Sequence, residues 1–171
     1  MRKHNGMRPQ DVAILLKLIS LKEDEWQLKS LASGLSISIS EISESLNRSR
    51  SAKLIDYDKK RVNRHNLMEF LEYGVKYVFP QQPGTLVRGM PTAHSHEYIG
   101  HNFVSEINYV WPDPKGEVMG LLIEPLYPKQ VQAIKTDKFF YELLALVDLI
   151  RVGKIREVNY AVDQLKKYIL P

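Results

Sequence analysis

The residues best suited to chemistry in this 171-residue chain lie between positions 38 and 61. Ser38, Ser40, Ser43, Glu44, Asn47, Arg48 and Arg50 crowd one short segment, and Lys59-Lys60-Arg61 follows closely. Hydroxyls and amides both donate to and accept from base edges, a carboxylate accepts from cytosine N4, and cations grip phosphate. Together these groups suit recognition of double-stranded DNA better than bond-breaking chemistry.

A second cluster is metal-like. His94 and His96 alternate, His101 follows, and Glu97 and Glu106 are close in sequence. Alternating histidines on a strand face can ligate one ion if a third donor joins them. The surrounding prolines and glycines read instead as a surface loop, and nothing fixes His101 beside the pair, so no metal is expected. Catalytic signatures are absent as well. The chain has no cysteine, which excludes disulfides, thiolate metal sites and cysteine nucleophiles. Ser36 and Ser38 belong to no Gly-x-Ser-x-Gly elbow, and Gly84, Gly89 and Gly100 precede no Gly-Lys-Ser/Thr. The carboxylates are spread over helix surfaces and turns. The expectation is a protein that is not an enzyme and needs no cofactor.

The elements around the first cluster are legible from periodicity. Pro9 opens a helix with Val12, Leu15, Leu16 and Ile19 on one stripe, proline being suited to a first turn. A short second helix runs from about Gln27 to Gly34, which can end it by adopting positive φ. Ser38-Ile39-Ser40-Glu41 has the form of a capping box and starts a third helix, with Ile39, Ile42 and Leu46 inward. Leu54–Asp58 alternates as a strand, Lys59-Lys60-Arg61 turns, and Val62 begins a return. Another helix starts near Asn66, with Leu67, Phe70, Leu71 and Val75 as its apolar face.

Seven of the nine prolines fall between 78 and 136, where no helical period survives. Ile107–Trp111 and Glu117–Ile123 read as two strands joined into a hairpin by the Pro112–Gly116 turn. Beyond them come two stripes, Phe140, Leu143, Leu144, Val147 and Ile150, then Val158, Ala161, Val162, Leu165 and Ile169, broken by Gly153. That pattern is a helical hairpin. The fold class is therefore mainly α with a small β component. It divides into a winged helix-turn-helix (9–77), a Pro-rich segment with a short β-hairpin (78–128) and a C-terminal helical hairpin (129–171).

Leu31-Ala32-Ser33-Gly34-Leu35-Ser36-Ile37-Ser38 through Ile42-Ser43-Glu44-Ser45-Leu46-Asn47-Arg48 resembles, without a gap, the DNA-binding pattern of bacterial MarR-like regulators. Lys53-Leu54-Ile55 stands where those regulators enter the wing. The resemblance spans about Asp11 to Tyr77. It implies a recognition helix using Ser38, Ser40, Ser43, Glu44, Asn47, Arg48 and Arg50, and a wing using Lys59, Lys60 and Arg61. It also implies a homodimer, joined through helices outside the DNA-binding part, that represses a nearby operon.

Charge distribution agrees: residues 1–76 hold 14 Lys+Arg against 10 Asp+Glu, whereas 77–171 hold 10 of each. Glu41 and Glu44 dilute the charge of the third helix and leave a rival reading open, an adaptor or antitoxin-like partner of a neighbouring gene product. No apolar run has membrane-spanning length, and Met1–Arg8 lacks a leader's apolar segment, so the expected location is the cytoplasm.

Overall fold

The structure is a computed structural model that describes residues 5–22 and 24–170. Of the segment Met1–Arg8, residues 1–4 lie outside the described part. The first helix, α1 (Pro9–Ser20), is buried on every side: Val12 through Leu16, Leu18 and Ile19 are all inaccessible. A single stripe was the expectation. The difference arises because α1 is packed between two other helices, α3 (Ile39–Ser51) and α8 (Lys138–Val152).

Between α1 and α3 lies α2 (Leu28–Leu35). Its terminating left-handed residue is Ser36 (φ 54°, ψ 40°) and not Gly34, which stays inside the last turn. A short polar side chain tolerates this conformation at modest cost. Ile37 N–H then returns to Ala32 O at 3.0 Å, closing the turn. Half of the capping box at α3 forms, with Ser38 Oγ accepting from Glu41 N–H at 3.2 Å. The reciprocal half is replaced, because the Glu41 carboxylate accepts from Gln10 Nε2 of α1 at 3.0 Å. The inward side of α3 is Ile42, Ser45, Leu46 and Ser49, and Ile39 is exposed.

Next come α4 (Arg64–Tyr73) and the single turn α5 (Val75–Val78). The Pro-rich part contains β1 (Leu86–Pro91), the one-turn α6 (Glu97–Gly100), β2 (Tyr109–Pro112) and β3 (Val118–Leu122). The two strands read from sequence do meet, but they do not form a hairpin. They pair parallel, with Leu121 N–H on Asn108 O at 2.8 Å and Ile123 N–H on Val110 O at 2.9 Å.

The reason is β1, which the Pro and Gly content concealed. Its first half pairs antiparallel with β3 and its second half with β2, so the three strands close on themselves. Gly89 is the pivot, opposite both Pro112 and Val118. A Cβ there would lie 2.0 Å from Trp111 O, so only glycine permits the approach. Closure leaves no free edge, and Pro91 and Pro112 end their strands where a missing N–H costs little.

After α7 (Gln130–Ala133), the hairpin of α8 and α9 (Ile155–Ile169) forms as expected. Its stripes are buried within the chain. Helix α8 is inaccessible continuously from Leu143 to Ile150 and touches α1, α4, α5 and α9. One contiguous core runs from Val12 to Ile169. Among the described residues, no helix is long and apolar enough to cross a membrane.

Candidate nucleic-acid interface

Helix α3 turns its buried side, Ile42 through Ser49, toward α1 and α2. Opposite that side, positions separated by four, three and four residues form a line: Ser40, Glu44, Asn47 and Ser51. Ser40, Glu44 and Ser51 are exposed and Asn47 is half-buried. Ser43 and Arg50 flank the line, and the Arg50 guanidinium stands 5.4 Å from the Tyr57 ring. Ser38 lies at its start, but its hydroxyl is already the helix cap and lies 3.2 Å from Ser40 Oγ.

Arg48 is not on this line. It lies on the flank facing α1, where Nε donates to Asp11 Oδ2 at 2.8 Å and Nη2 to Asp11 Oδ1 at 2.7 Å. Asp11 is fully buried and also accepts from Arg8 N–H at 2.8 Å. The hydrogen bond to Asp11 raises the Arg48 pKa further above its ordinary value, with desolvation opposing it. The sequence reading of Arg48 as a phosphate contact therefore gives way to an internal role, holding α3 against α1. Glu41 belongs to the same flank, with Arg8 Nη1 3.9 Å from its carboxylate.

The wing is smaller than the strand pattern suggested, a single bridge between Ile55 and Val62. Asp56 Oδ1 organises its tip by accepting from Lys60 N–H at 2.7 Å and Arg61 N–H at 3.1 Å. Lys59 there adopts φ 58°. These bonds to the side chain replace a longer ladder. The three cations diverge. Lys59 Nζ donates to Asn47 Oδ1 at 3.1 Å, Lys60 lies 4.7 Å over the Trp26 ring, and Arg61 is exposed.

Trp26 donates in turn to Lys60 O at 3.2 Å. The two line a cleft of about 670 Å³ with Lys22, Arg61 and Arg64. Trp26 was not singled out from sequence. A lone aromatic residue before α2 gives no local signal of a partner across the fold.

The histidine cluster is taken apart. His94 and His96 are buried rather than carried on a surface loop, while His101 is exposed. His94 Nε2 lies 2.8 Å from Ile107 O, and Nδ1 lies 3.6 Å from Glu157. His96 packs against the rings of Tyr141 and Tyr98. Among the described residues no group of three His, Asp or Glu side chains is arranged to hold a metal ion.

Burial lowers the His96 pKa to about 4 from an ordinary 6.5. The unfolded chain binds this proton near 6.5 and the folded chain only near 4. Stability is therefore full above pH 6.5 and falls as the pH drops through that window, by about 3 kcal/mol in total. Urea unfolding at pH 7 and pH 5 should show about 2 kcal/mol of this loss, and His96→Gln should reduce it. An unchanged dependence in the variant would place the acid sensitivity elsewhere.

Helix, turn, helix and short bridged turn thus define the class of arrangement, with one polar line facing outward. No family model, curated protein or solved structure matches the chain.

Proposed function

We propose that the chain is a sequence-specific DNA-binding transcriptional regulator that works in the cytoplasm, most simply as a repressor of a nearby operon. The observation carrying this reading is the line Ser40, Glu44, Asn47, Ser51 on α3, beside a turn bearing Lys59, Lys60 and Arg61. An α-helix fits the major groove, and a neighbouring basic turn can reach the backbone.

Fluorescence anisotropy with the duplex upstream of its own gene, across a salt series, tests it. The expected result is tighter binding than to a scrambled duplex, with a log–log slope of about −3 per subunit from three or four phosphate contacts. Replacing Lys60 and Arg61 with alanine should weaken every sequence alike and flatten the slope by about 2. Equal affinity for both duplexes would overturn the reading.

The second reading, an adaptor for a neighbouring gene product, is favoured by Glu44 at the centre of the line and by exposed Tyr73, Tyr77 and Val78. It predicts a stable complex with that product on co-expression and no preference among duplexes. A homodimer, expected from the resemblance, would have to use such a surface, because the stripes of α8 and α9 are occupied internally.

A further inference from the structure

On the strength of the DNA-binding reading above, we infer that α3 reads two bases, a cytosine addressed by Glu44 and a guanine addressed by Asn47, belonging to one G·C pair or to two adjacent G·C pairs at a fixed position. In this arrangement the Glu44 carboxylate accepts from cytosine N4, and Asn47, held by Lys59, donates to guanine. The outward line of α3 carries one charge, Glu44, which is exposed and has no ion-pair partner among the described residues. Glu41 is tied to α1, whereas the Glu44 carboxylate makes no hydrogen bond or close ion pair among the described residues and feels the Arg48 charge only at longer range.

An ionised carboxylate only accepts hydrogen bonds. The major-groove donors are cytosine N4 and adenine N6, whereas guanine presents two acceptors, N7 and O6. Glu44 therefore repels guanine and thymine at the position it meets.

Asn47 adds a second requirement, and it decides between the two donors where both side chains meet one base pair. An ammonium can only donate, so the Asn47 atom 3.1 Å from Lys59 Nζ is the carbonyl oxygen, and the amide N–H groups are the donors left for a base. Asparagine pairs with adenine by donating and accepting together, which needs that oxygen. With Lys59 on it, and a positive charge beside the amide, two acceptors are preferred, and guanine N7 and O6 supply them. Glu44 and Asn47 are three residues apart, about 4.5 Å along the helix axis, close to one base-pair step of about 3.4 Å. The acceptor and the donors thus face the two bases of one G·C pair or of adjacent pairs.

The experiment is selection from a duplex library with a randomised core, using the purified full-length chain, Glu44→Gln and Lys59→Met. The native chain should enrich one G·C pair, or two adjacent G·C pairs, at a fixed position of the core, and A·T there would count against the inference. Glu44→Gln should lower discrimination for cytosine by about 10-fold or more and shift it toward adenine, which glutamine pairs bidentately. Lys59→Met should relax the guanine preference in the same way. Circular dichroism checks that both variants fold, and Asn47→Ala supplies a third reading of the guanine position. Enriched sites that lack this pair, or a Glu44→Gln preference identical to the native one, would overturn the inference and leave DNA binding standing. No enrichment over the input library would overturn both.

Discussion

Arg48→Ala is expected to lower folding stability by about 3–5 kcal/mol, because it strands the Asp11 carboxylate in the core without its cation. The geometry makes the effect large. Asp11 is wholly inaccessible, Arg48 is 10% exposed, and two parallel hydrogen bonds join them. Only the Arg8 N–H would remain to the carboxylate, which would then take up a proton or expose itself. Thermal unfolding should show a midpoint lower by about 10 °C.

The pair Asp11→Leu with Arg48→Met should recover most of the loss, since both charges then leave together. A phosphate-contacting arginine would behave differently: alanine would leave the melting midpoint unchanged and reduce DNA affinity. The two outcomes are read in the same pair of experiments.

Asp148→Ala should cost a similar amount, about 3–5 kcal/mol, at the joint between the β-ring and α8. Asp148 is buried and receives Trp111 Nε1 at 2.6 Å, Thr92 Oγ1 at 2.9 Å and Arg151 Nη1 at 2.9 Å. Burial raises its pKa while these three partners pull it back down. Truncation leaves a nearly inaccessible Arg151 charge unpaired, and deprives the indole and hydroxyl donors of their acceptor.

Arg151 keeps one contact, Nε to Phe79 O at 2.9 Å. Asp148→Asn should fall between native and alanine, because an amide oxygen still serves Trp111 and Thr92. Urea denaturation gives the magnitudes. Near-ultraviolet circular dichroism should lose the Trp111 contribution in the alanine variant before the far-ultraviolet signal declines. A native-like near-ultraviolet spectrum would show that the ring seats without this carboxylate.

Much of the helical framework was legible because helices write their burial at a fixed period. Pro9 as a first helical residue, the Ser38 cap and the break at Gly153 are local rules, and the structure keeps each of them. Local rules fail where the deciding partner is remote. Ser36, not Gly34, takes the left-handed position because the turn must bring Ile37 back to Ala32. Glu41 fits a capping box by sequence, yet Gln10 lies closer once α1 is packed. Strand pairing is more remote still. The hairpin reading assumed that adjacent strands pair with each other in the simplest way, whereas β1 intervenes and closes the ring.

For the interface, residue types alone established the polar character of α3 and the basic turn after it, since both follow from positions close together in the chain. Which groups face outward was decided by tertiary packing. Arg48 looks like a phosphate contact until a buried carboxylate 37 residues earlier claims it. Asn47 and Lys59 become one unit only when the turn folds over the helix. The histidines at 94 and 96 alternate as ligands would, but the rings of Tyr109 in β2 and Tyr141 in α8, with the Ile107 carbonyl just before β2, bury them. The sequence by itself determined the long helices, the capped third helix and two of the three strands of the ring, because backbone preference and apolar period act over a few residues. The tertiary structure alone decided which charges remain free, because a charge is free only if no distant partner can reach it.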